Sequence, residues 1–110
     1  MPRFVILEHD WPTLHWDFLL EVGASLRSWR LRSVPVIGAV IVAEAMPDHR
    51  SIYLDYEGPV SGGRGSVKRW DGGTFEWIHD RDNHLEIQLH GRILSGRVTL
   101  VFDGVWHCEF

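Results

Sequence analysis

One cysteine and one lysine are all that the chain holds of either residue. The lone thiol, Cys108, can form no internal disulfide, and its place near the end of the chain gives it no expected chemistry. Because Lys68 stands alone, ten of the eleven cations are Arg, the residue whose planar fork matches phosphate oxygens. No apolar run reaches the ~18 residues that cross a bilayer. The longest, Val34 to Ala43, contains Pro35 and Gly38 and reads as a buried strand. No basic-then-apolar leader opens the chain, which points to a cytoplasmic protein without a membrane partner. Internal repeats, linkers, low-complexity tracts and any sustained helical period are also missing.

What remains is apolar and aromatic. Hydrophobic residues make up 45% of the chain and six are Trp, which excludes disorder and leaves room for one core, so residues 1–110 are expected to form one domain. Short β-prone runs separated by Gly, Pro and Asp predict an all-β fold, a small closed or nearly closed barrel of short antiparallel strands with little helix. The expected strands are Phe4 to Leu7, Leu14 to Glu21, Leu26 to Leu31, Gly38 to Ala45, Ser51 to Tyr56, Ser66 to Trp70, Gly73 to Ile78, His84 to His90 and Arg97 to Phe102. Turns are expected at Val22 to Ala24, Asp71 to Gly73, His90 to Arg92 and Ser95-Gly96, and Gly58 to Gly65 reads as a loop able to approach a ligand. Trp11, Trp29, Trp70 and Trp77 are assigned to core or rim packing.

The net charge of −4 excludes a long duplex footprint, but it is unevenly spread. Residues 27 to 69 carry seven cations against four anions, a capacity to grip one or two phosphates.

The segment FVILEHDWPTLHWDFLLEV carries the chemistry. Leu14, Trp16, Phe18 and Leu20 alternate with His15, Asp17 and Leu19, so His15 and Asp17 share one face of a strand. With His9 they offer two imidazoles and a carboxylate, a ligand set suited to Mn²⁺, Zn²⁺ or Fe²⁺ with positions left open. The plainer alternative makes His15 and Asp17 a surface pair on an amphipathic strand and His9 a loop residue.

The run HDWPTLHWDFLLE resembles the HD-x-x-x-x-LH-[YF]-DFRLE signature of the 3′-phosphoesterase domain of bacterial DNA ligase D. Further segments agree in order: AVIVAEAMPDHRSIYLDYEG is similar to that family's DHP-x-x-Y-x-x-FEG region, RWDGGTFE to its WD-x-GT segment, and QLHGRILSGRVTLV to its LHG and following strand. The resemblance implies a β-barrel that cleans damaged or ribonucleotide-bearing 3′ ends of DNA or RNA with a divalent metal, usually manganese. It implies metal ligation by His9, His15 and Asp17, contact of His49 with the scissile phosphate, and support from Tyr53. Separate ligase or polymerase repair proteins are the partners it suggests. One departure matters: the family's DFRLE reads DFLLE, so Leu19 replaces an arginine expected to clamp phosphate. Arg50 and Arg64 are the candidate substitutes, and strand parity favours Arg64. The loss leaves two uses open, a working 3′-phosphoesterase and a weakened relative that binds metal and phosphorylated ends. Phosphoesterase action on a small metabolite is a third.

Overall fold

The fold is built by strands whose two faces have different tasks. In this computed structural model, which describes residues 1–110, nine strands join one antiparallel sheet: β1 Arg3–His9, β2 His15–Val22, β3 Ser25–Leu31, β4 Val40–Arg50, β5 Gly58–Pro59, β6 Ser66–Arg81, β7 His84–Gly91, β8 Ser95–Phe102 and β9 Trp106–Glu109. Their order is β1-β2-β3-β4-β9-β8-β7-β6, and pairing of β1 with β6 closes eight of them into a barrel, with β5 as an extra strand on β6. Closure leaves the barrel strands no free edge along the ring.

Period-two alternation decides what fills the barrel. Phe4 and Ile6 of β1, Phe18 and Leu20 of β2, Trp29 and Leu31 of β3, Phe75 of β6 and Leu100 of β8 point inward to one core. Trp29 is 1% exposed and meets Phe18 at 6.5 Å and Trp106 at 5.7 Å between ring centroids. Truncating so large a buried aromatic costs about 3–5 kcal/mol. Trp70 and Trp77 pack against this core as expected, whereas Trp11 is largely exposed.

The opposite faces of β1 and β2 are not left to solvent. Val5, Leu7, Leu19, Leu26, Leu54 and Val67 form a second, smaller apolar cluster on the outside of the wall. Residues 51–60 cover it, bringing Leu54, Tyr53, Tyr56 and Val60. This explains the unbroken apolar run Phe4-Val5-Ile6-Leu7: β1 is buried on both faces.

Several expected elements differ. Ser51–Leu54 is a 3₁₀ turn and not part of a strand; Ile52 is exposed while Leu54 is buried, which an alternating strand does not allow. The two runs Ser66 to Trp70 and Gly73 to Ile78 are one strand, because β6 pairs with β1 through its first half and with β7 through its second. Asp71 to Gly73 is consequently not a turn but lies beside the register shift opposite Ile6 and Leu7. Ser95-Gly96 opens β8. Val34 to Ala43 is not a buried strand: Val34, Val36, Ile37, Val40 and Val42 are exposed, and only Ile41 and Ala43 of β4 turn inward. The barrel also needs β9, which pairs β4 with β8 and seats Phe110 against Phe18 at 5.4 Å. No helix is long and apolar enough to cross a membrane.

Candidate metal and phosphate site

His9 closes β1 and His15 opens β2, and the antiparallel register makes them cross-strand partners. Asp17 follows two residues later on the same outer face. The three side chains therefore converge because the β1–β2 pairing forces them to. One ligand atom from each lies within 4.8 Å of the others. His9 Nδ1 is 3.4 Å from Asp17 Oδ2, and His15 Nε2 is 3.2 Å from Asp17 Oδ1. His15 is fully buried and Asp17 3% exposed, so neither is a surface residue.

Backbone carbonyls fix both imidazoles. His9 Nε2 donates to the Arg64 carbonyl at 2.9 Å, and His15 Nδ1 donates to the Thr13 carbonyl at 2.8 Å. A carbonyl only accepts, so these nitrogens carry hydrogen, and in the neutral rings His9 Nδ1 and His15 Nε2 present lone pairs. Both face an acidic side chain that is itself an acceptor. His15 Nε2 is buried with no hydrogen-bond partner. Three acceptors aimed at one another repel unless positive charge sits among them, and backbone-bonded imidazoles are the usual support of metal ligands. The residues fit a divalent cation. Burial pushes the Asp17 carboxyl upward; in the metal-free cluster, with the rings protonated so that His15 Nε2 also carries hydrogen, donation from His15 and the charge of His15, His49 and His9 outweigh it and leave the pKa below the ordinary value.

A cavity of about 490 Å³ opens beside this cluster and is lined by His9, Asp17, His49, Tyr53, Arg50 and Arg64 among others. His49 Nδ1 donates to the Pro47 carbonyl at 3.2 Å, which leaves Nε2 as the nitrogen able to act. The 3₁₀ turn after β4 folds Tyr53 back against His49, with ring centroids 5.7 Å apart at 75°. Arg64 comes to the cavity, but its guanidinium is held by Ser61, with Nε donating to the carbonyl at 2.7 Å and a terminal nitrogen to Oγ at 3.2 Å. Arg50 also lines the cavity, although extended parity would have turned it away from His49. Leu19 is fully buried in the outer apolar cluster, so β2 brings no cation to this face.

Sequence reasoning missed the supports. The carbonyls of Thr13, Pro47 and Arg64 carry no side-chain signal. Asp10 accepts from the Ser66 amide at 2.9 Å and so ties the segment after His9 to the start of β6; its pairing with His9 in the HD dipeptide was the available hint. Arg30, opposite Asp17 on β3, also lines the cavity and had no motif to mark it. His79, His84, His90 and His107 take no part in the cluster, as expected; His90 pairs with Glu76 and His107 with Asp103.

Residues 7–102 match the family described as the DNA Ligase D 3′-phosphoesterase domain. The multifunctional non-homologous end joining protein LigD of Pseudomonas aeruginosa is 33% identical over 109 residues, covering 90% of this chain and 13% of that protein. The corresponding DNA repair protein of Mycobacterium tuberculosis is 36% identical over 107 residues, covering 89% and 14%. This chain thus spans about one-seventh of the relatives it matches. With the motifs in order and the barrel that carries them, the chain belongs to the DNA ligase D 3′-phosphoesterase domain family.

Proposed function

We propose that this chain is a metal-dependent 3′-phosphoesterase that processes DNA or RNA 3′ ends in repair, with His9, His15 and Asp17 holding one divalent metal, manganese first and zinc as the alternative. The observation that carries the reading is the buried, unpartnered Nε2 of His15 facing Asp17 at the edge of a cavity that also holds His49. A cation bound there would supply positive charge to polarise a phosphoryl oxygen and to acidify a water.

The chain's own residues account for the remaining work. The two carbonyl-bound imidazoles and Asp17 hold their positions before any ligand arrives, so little reorganisation accompanies reaction. His49 uses Nε2. As an imidazolium it donates a proton to the oxygen that leaves phosphorus when the ester bond breaks, while the new P–O bond comes from water, whose proton passes to solvent. Tyr53 orients that ring through the edge contact, and Arg64 offers positive charge at the glycine-rich rim once released from Ser61. The burial of Leu19 in an apolar cluster favours a second reading, a weakened relative that binds metal and phosphorylated ends with slow turnover. Separate ligase or polymerase repair proteins are the partners proposed, in the cytoplasm.

Manganese-dependent release of phosphate from an oligonucleotide 3′ end tests the proposal. His9→Ala abolishes release and His49→Ala lowers it by about a hundredfold or more, the range of a lost general acid, while His84→Ala leaves it unchanged. Equal losses at His49 and His84 would remove the role given to His49. No release from the parent with any divalent metal, despite tight binding of a phosphorylated end, would select the weakened-relative reading.

A further inference from the structure

Arg30 stands on β3 directly across from Asp17 of β2 and from Glu44 of β4. An arginine between two carboxylates is expected to pair with one of them. Arg30 makes a salt bridge with neither, and its Nε is buried without any acceptor. A charged donor left bare beside a cavity is poised for an anionic ligand.

The three arginines around the cavity differ in this respect. Arg64 is folded onto Ser61, and Arg50 is exposed at the end of β4. Arg30 alone combines a buried, unpartnered donor with a place on the wall that bears the histidine and aspartate cluster. It also lines a neighbouring cavity of about 410 Å³ together with Arg32, Phe102 and Trp106, so it sits where the two meet.

We propose that Arg30 is the phosphate-contacting cation of this site, gripping a terminal phosphate of a nucleic-acid end from β3, the strand next to the one that carries Leu19. The inference rests on the 3′-phosphoesterase reading and adds to it a residue outside the motif. Guanidinium geometry suits a non-bridging phosphate oxygen pair, and Arg30 reaches it from beside Asp17 without displacing any existing bond.

The test measures binding of a short single-stranded oligodeoxynucleotide bearing a 3′-phosphate, and of the same strand with a 3′-hydroxyl, by fluorescence anisotropy without added metal. The parent binds the phosphorylated end more tightly. Arg30→Gln loses about tenfold for that end, the effect of one charge-assisted contact, and keeps its affinity for the hydroxyl end. Arg30→Lys recovers part of the loss, and Arg97→Gln, at the Glu86 ion pair, changes nothing. Manganese affinity in Arg30→Gln is not weakened, which a collapsed site would not permit. Retained discrimination in Arg30→Gln, or an equal loss for both ends, overturns the assignment while leaving the proposed function standing. A parent that does not distinguish the two ends overturns both.

Discussion

The His9 imidazole donates from Nε2 to the backbone carbonyl of Arg64 at 2.9 Å, so the glycine-rich segment touches the histidine and aspartate cluster through its main chain. The side chain of Arg64 is not part of that bond. Backbone geometry in the segment consequently bears on His9 more than side-chain identity does.

Gly65 sets that geometry. It has φ of +70°, and a Cβ there would stand 2.6 Å from Trp11 Cβ and against the Asp10 carboxylate. Gly65→Ala is expected to shift the Arg64 carbonyl and lower manganese affinity about tenfold, the effect of losing a bond that supports a ligand. Arg64→Ala keeps the carbonyl and is expected to leave the affinity unchanged. Titration calorimetry of the two variants checks this; a weaker Arg64→Ala with a normal Gly65→Ala reverses the account.

Asp71 is an anchor of a different kind. Its carboxylate accepts from the amides of Gly72 at 2.8 Å, Arg92 at 2.9 Å, Ile93 at 3.1 Å and Leu94 at 2.8 Å. These bonds hold the β7–β8 connection against the bulge of β6. Asp71→Ala is expected to lower stability by about 2–4 kcal/mol, because partly buried donors lose a charged acceptor. Urea unfolding measures the loss, and metal affinity serves as the control that should not move.

Cys108 pairs in register with Ile41 and Leu100 and is fully buried, and burial pushes its thiol pKa up. A thiol held neutral and out of solvent reacts slowly. Labelling by a thiol reagent at neutral pH is expected to follow global unfolding and to accelerate with denaturant. Rapid labelling of the native protein would mean that β9 opens independently of the barrel.

Asp17 predicts how acid acts. Its carboxyl titrates below the ordinary range, so on acidification it stays ionised at pH values where exposed carboxylates begin to protonate. Imidazoles ligate only when neutral and carboxylates only when ionised, so metal release as pH falls is expected to be coupled to proton uptake. Calorimetry in buffers of different ionisation enthalpy counts the protons displaced by manganese at each pH. Release that begins only where carboxylates protonate would assign the control to Asp17.

The legible parts of the sequence were those written as alternation or as contiguous motif. His15 and Asp17 share a face because β2 is regular from His15 to Val22, and Leu19 follows them by the same rule. The 3₁₀ turn was hidden because Ile52, Tyr53 and Leu54 have strand-like side chains, and only the absence of a pairing partner marks them otherwise. Two glycines at Gly72 and Gly73 imitate a turn where β6 passes between its two neighbours. β9 is four residues long and follows an Asp-Gly pair, too little pattern to see. Arg30 could not be placed beside Asp17 without the β2–β3 register, and the carbonyls that hold the imidazoles exist only in three dimensions.

His9, His15 and Asp17 are proposed to hold one divalent metal beside the His49 cavity. Anomalous diffraction from crystals grown with manganese tests it directly. One site per chain is expected, with the ion held by His9 Nδ1, His15 Nε2 and an Asp17 oxygen, and no such site in Asp17→Ala. Manganese bound elsewhere on the barrel, or a cluster left empty at a concentration that saturates the protein in solution, would contradict it.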